Sequence, residues 1–137
     1  MTEKTAMDAL VQMKRMGNLL NEVEDLTKQM DSVLDRSDQV SLQMLIDMRE
    51  DPLGKLQAAD QALRDQLELL TDKLEAAQLA SMLNGGLPAD PDQRTQQKLC
   101  EQVAVNNRRL KRIIEMDQRL NQRLARDNSA YQQGTPK

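Results

Sequence analysis

Apolar positions fall into long stripes along this chain, separated by short punctuated breaks. In the first stripe Met13, Met16, Leu20, Val23, Leu26 (or Thr27), Met30 and Val33 or Leu34 recur at steps of three and four residues. That spacing keeps one face of an α-helix apolar and predicts helix from about Thr5 to Asp35. Gly17 interrupts the stripe, at a cost of roughly 1 kcal/mol relative to Ala. It marks either a close helix approach or a weak point. Asp35-Arg36-Ser37-Asp38 is the first break, and Ser37 or Asp38 can cap the next helix with a side-chain oxygen. A connection this short predicts antiparallel neighbours.

Val40, Leu42, Met44, Leu45, Ile46 and Met48 make the most apolar stretch. It is apolar on more than one face, which implies deep burial or an exposed binding patch, burial being the commoner answer. A short helix is predicted over Gln39–Glu50, ended by Asp51-Pro52. That pair reads as N-cap and first residue of a new helix, because Pro inside a helix loses a backbone bond and clashes with the preceding turn. From Leu53 the positions Leu56, Leu63, Leu67, Leu70, Leu74 and Ala77 approximate a heptad seam and predict a long helix to Leu83.

Asn84–Asp92 is the strongest punctuation. Asn84-Gly85-Gly86 suits a left-handed helix cap, and Pro88 and Pro91 prevent continuation. The last helix is expected over about Pro91–Asp127, with Leu99, Val103, Asn106, Leu110, Ile113 or Ile114, Asp117 or Met116, Leu120 and Leu124 on its seam. A buried Asn106 would set register there at some cost in stability; the alternative is a helix packed less tightly than the other two. The fold class is therefore all-α: an elongated antiparallel three-helix bundle of coiled-coil character, its second helix broken or kinked near Asp51-Pro52. Residues 1–128 are expected to form one domain and residues 129–137 a flexible polar tail.

Composition sharpens this picture. Among 137 residues there is no Trp, no Phe and one Tyr, so the core must be a thin Leu/Met/Ala/Val seam. There is no His, which removes the commonest general base and metal ligand along with any Cys–His pair or Ser–His–Asp triad. The single Cys100 cannot form an internal disulfide and fits a small apolar place near the last seam. No Gly-rich phosphate loop is present, and acidic residues lie beside Lys and Arg on outer faces. No enzymatic activity, cofactor or metal is expected. The absence of a membrane-length apolar run or leader-like segment predicts a cytoplasmic protein.

Charge is uneven. Residues 1–93 hold nine Lys/Arg against eighteen Asp/Glu, a balance of −9, whereas residues 94–126 hold nine against three, a balance of +6. Complementarity within one bundle is the favoured reading. Nucleic-acid binding through Arg108–Arg126 is the weaker one, since the helix lacks interleaved aromatics. Nine methionines fill a core without aromatics, but Met44, Met48 or the Ile113/Ile114/Met116 surface could remain for a helical partner.

Residues 16–80 resemble the small helical export chaperones of bacterial flagella, the FlgN and FliT types. The likeness lies in Leu19-Leu20, Val23-Glu24-Asp25-Leu26, Leu34–Val40 and Met44–Arg49, followed by Leu53 and Leu56. It implies a cytoplasmic chaperone that binds helical C-terminal segments of hook-associated or filament-cap proteins and prevents premature assembly. The client surface of such proteins maps onto Val103, Leu110, Ile113, Ile114 and Leu120 here. The alternative is a self-associating coiled-coil scaffold, so homo-oligomers stay open.

Overall fold

A computed structural model describes the backbone of residues 1–134 and the side chains of residues 1–127. It is an all-α bundle of four helices: α1 (Glu3–Asp35), α2 (Gln39–Leu69), α3 (Lys73–Leu83) and α4 (Arg94–Gly134). The chain runs up, down and up again. Gln66 of α2 donates to the Thr5 carbonyl at one end of α1, while Arg49 reaches Thr27 towards the other. α4 runs parallel to α1: Asn106 donates to the Met13 carbonyl, Arg109 to the Gly17 carbonyl and Arg123 to Asp31. α1 is thus the central element, packed along its length by α2 and by α4. The α2 and α4 backbones approach each other only sparsely.

The caps follow from local chemistry. Asp38, not Ser37, caps α2, accepting from the Ser41 N–H at 3.0 Å and the Ser41 hydroxyl at 2.6 Å. Ser37 takes the left-handed position after α1, with φ 55°. Its N–H bonds to the Leu34 carbonyl and the Asp38 N–H to the Val33 carbonyl, the pattern that normally favours Gly. Asn84-Gly85-Gly86 closes α3 in the same way: Gly85 has φ 95°, and the Gly86 N–H reaches the Ser81 carbonyl at 2.8 Å.

The middle of the chain differs from expectation in two places; at the first, of the broken or kinked helix expected near Asp51-Pro52, only the break is excluded. No break occurs at Asp51-Pro52, because α2 runs from Gln39 through Pro52 to Leu69. Pro52 costs α2 a backbone donor, about 3 kcal/mol in an ordinary helix interior. Its ring, however, is fully buried on the line Leu45, Pro52, Ala59 that faces the core, and burial there offsets the loss. The long helix expected over Leu53–Leu83 instead divides at Leu70–Asp72. Asp72 caps α3, its carboxylate accepting from the N–H groups of Leu74 and Glu75. The division lets α3 turn across the lower end of the bundle and bury Leu79 and Met82 completely.

The core has three parts. The lower cluster joins Ala9, Leu10 and Met13 to Leu63, Leu79, Met82, Leu99 and Val103, so all four helices contribute. Leu20, Val23 and Ile113 meet in the middle, with Leu56 against them. Leu26, Met30, Val33, Leu42, Leu45 and Leu120 form the upper cluster. At the C-terminus the α4 backbone continues as helix to Gly134, where a polar tail from 129 was expected, and 135–137 lie outside the described residues.

Candidate functional site

Polar layers separate the apolar clusters. In the lower layer Asn106 is buried, donating to the Met13 carbonyl at 2.9 Å and accepting from Gln102. Gly17 lies directly opposite. A Cβ there would stand 2.6 Å from Gln102 Nε2 and 2.9 Å from Asn106 Oδ1, so Gly17 marks a close approach. In the upper layer Arg49 of α2 donates to Thr27 of α1 at 3.1 Å and to Asp117 of α4 at 2.6 Å. One guanidinium therefore ties three helices together.

Three of the basic residues of α4, Arg109, Arg112 and Arg123, pair with carboxylates of α1. Glu24 is buried and lies within 3.3–3.8 Å of Lys28, Arg109 and Arg112. Arg123 bridges Asp31 and Asp35, each at 2.6 Å, and these carboxylates hold its guanidinium above its ordinary pKa. Among the described residues, no group of three or more His, Cys, Asp or Glu side chains is placed to hold a metal ion. Cys100 is half-buried at the edge of the lower cluster, and burial raises its thiol pKa. A raised pKa keeps it protonated near neutral pH, which lowers its nucleophilicity. No described helix is long and apolar enough to cross a membrane.

The partner-binding candidates divide into three groups. Val103, Ile113 and Leu120 are only 1%, 5% and 3% exposed and belong to the lower, middle and upper clusters. They are committed to the bundle, so the expected client surface on α4 loses three of its five residues. Leu110 and Ile114, 44% and 48% exposed, remain available on α4. Met44 and Met48, 59% and 54% exposed, lie on a different face. There the first turns of α2 and the last turns of α1 enclose a groove of about 300 Å³, lined by Met44, Met48, Val33 and Leu45 with Gln29 and Arg36.

Val40, 75% exposed, extends this face at the start of α2. Val40, Met44 and Met48 are spaced four apart and form one exposed apolar stripe. Val40 was readable as part of the most apolar stretch, but only the fold shows which half of that stretch is buried. A second groove of about 630 Å³ lies between the other ends of α1 and α2, where Val11 and Leu69 are exposed. Beside it the side-chain amide oxygen of Gln12 (Oε1) is buried without a hydrogen-bond partner among the described residues. The composition gave no signal for that groove.

No family model matches the chain, and no curated protein or solved structure matches it.

Proposed function

We propose that this protein is a helix-binding adaptor whose client lies in the groove lined by Met44 and Met48. The observation that carries the reading is the exposed stripe Val40, Met44 and Met48 beside a concave floor of Val33 and Leu45. Anchors at such spacing match the side of a helix laid in a groove, and methionine adapts its shape to the partner. Gln29 and Arg36 supply a polar rim. Together with the sequence likeness to flagellar export chaperones, the reading becomes concrete: a cytoplasmic chaperone for helical C-terminal segments of hook-associated or filament-cap proteins. Binding, rather than catalysis, is the proposed activity. The ion pairs of Arg109, Arg112 and Arg123 with α1 carboxylates support complementarity inside the bundle over a nucleic-acid surface.

Calorimetric titration with those C-terminal fragments tests the proposal. Saturable binding is expected, lost in Met44→Asp and Met48→Asp while helicity stays unchanged. Binding that survives both substitutions removes the client from this groove. No binding to any fragment by the folded protein defeats the chaperone reading.

A further inference from the structure

The join between α2 and α3 reads one way in sequence and stands another way in the fold. Leu63, Leu67, Leu70 and Leu74 step by four, three and four residues straight across it, and neither Gly nor Pro occurs between Gly54 and Gly85. The residues around it are mostly Leu, Gln, Glu and Ala, so local chemistry favours one helix through this stretch. Yet the chain stops at Leu69 and restarts at Lys73, with Leu70 (ψ 121°) and Asp72 (ψ 112°) extended. Packing decides the outcome. α3 crosses the lower end and buries Leu79 and Met82, and the Glu75 carboxylate accepts from the Thr2 N–H at 2.8 Å and the Thr5 hydroxyl at 3.3 Å. The turn leaves Leu69 and Leu74 80% and 68% exposed on either side of it.

A second copy of the chain can satisfy both the local preference and the packing. We infer that this join is a hinge, and that two copies exchange α3 and α4 through it. Rotation of residues 70–72 into helix fuses α2 and α3 into one rod from Gln39 to Leu83. α3 and α4 then leave their own α1 and dock on the α1 of the second copy. Each contact that α3 and α4 make is kept, Glu75 with Thr2 and Arg123 with Asp31 included, but two chains now share it. The new contact lies at the twofold axis, where the rods cross beside Thr71 and bring Leu74 of each copy together. A link of three residues invites such exchange, because it has little slack to relieve the turn. The exchange regains helix at two hinges per dimer against the entropy of association, so concentration favours it. It concerns the lower end and does not depend on the client reading of the Met44/Met48 groove.

Light scattering of the full chain, refolded from denaturant at low and at high concentration, tests the inference. The high-concentration product is expected to contain a dimer of twice 15.6 kDa. Cross-linking then shows which chain supplies α4. In a Cys100→Ser background, Asp31→Cys and Arg123→Cys place two thiols where α1 meets α4. A short bis-maleimide should join them between chains in the dimer and within one chain in the monomer, as read on a denaturing gel. Lys73→Pro should hold the protein monomeric with its helicity unchanged. Pro suits the first position of α3 after an extended Asp72, but it breaks a continuous rod. Asp72→Ala removes the α3 cap at both hinges and should tighten the dimer about tenfold or more. A monomer at every concentration overturns the inference. So does a dimer linked only within its chains, or one that Lys73→Pro leaves intact, because either is a surface contact rather than an exchange.

Discussion

The two ends of this bundle are built differently. At the lower end α3 crosses under the long helices, and Leu79 and Met82 are fully buried among residues from all the other helices. At the upper end three helices meet around Leu42, Leu45 and Leu120, and among the described residues no fourth element covers Met44 and Met48. The same residue types serve both ends. Met82 is a core residue and Met44 a surface one, so the presence of a crossing helix, not side-chain chemistry, decides which methionines stay exposed.

Truncation should break this comparison most strongly. Leu79→Ala should lower stability by about 2–5 kcal/mol, as a filled apolar site becomes a cavity. Met44→Ala should change it by no more than about 0.5 kcal/mol. Paired denaturant titrations give both values, and equal losses would mean that the two ends are packed alike.

Gly17→Ala probes the polar layer between the ends. Its Cβ would crowd Gln102 and Asn106, and relief requires disturbing the Asn106 bond to Met13. Overpacking at about 1–3 kcal/mol exceeds the helix-propensity gain of about 1 kcal/mol. A net loss of about 1 kcal/mol in the midpoint-derived stability is expected, and a gain would show that Gln102 and Asn106 yield freely.

Smaller effects sharpen the upper turn. Ser37→Gly should stabilise the protein by up to about 1 kcal/mol, because Ser37 stands in the left-handed region at φ 55°. Thermal melts of the two proteins measure the gain. Asp38 gives a pH signature. Its bonds from the Ser41 side chain and backbone hold its carboxyl below the ordinary carboxylate value. Its contribution is therefore complete above the unfolded value of about 4 and fades as the pH falls through the lowered one. The melting-temperature advantage over Asp38→Ala should be constant at neutral pH and shrink in acid. A pH-independent difference would mean that ionisation of Asp38 plays no part.

Much of this architecture was legible in the stripes. The α1 boundaries, the Asn84-Gly85-Gly86 cap and the buried Asn106 follow from spacing and turn chemistry. Pro52 and Leu70 did not. Pro52 was read as local punctuation, but tertiary burial of its ring overrides that signal. The α2–α3 division lacks Gly and Pro, and its one local sign is Asp72-Lys73-Leu74-Glu75, an acidic N-cap with Glu three residues on. The candidate surface was legible only as a list of apolar residues. Ile113 and Ile114 are neighbours of equal hydropathy, and a rotation of about 100° about the helix axis puts one in the core and the other at the surface. A seam with a polar Asn106 cannot settle that rotation without the partner helices.

The parallel alignment of α1 and α4 also shapes how the chain folds. Glu3 meets Thr95 and Gly17 meets Arg109, pairs 92 residues apart, whereas the α1–α2 turn needs only Arg36–Asp38. The α1–α2 hairpin can close early through local contacts, while α4 must close a loop most of the chain long. During synthesis the first helix is complete long before its second partner exists. Until α4 is made, the Met13 and Gly17 carbonyls lack their Asn106 and Arg109 partners and the three clusters lack Val103, Ile113 and Leu120, so the hairpin is incompletely covered along its whole length.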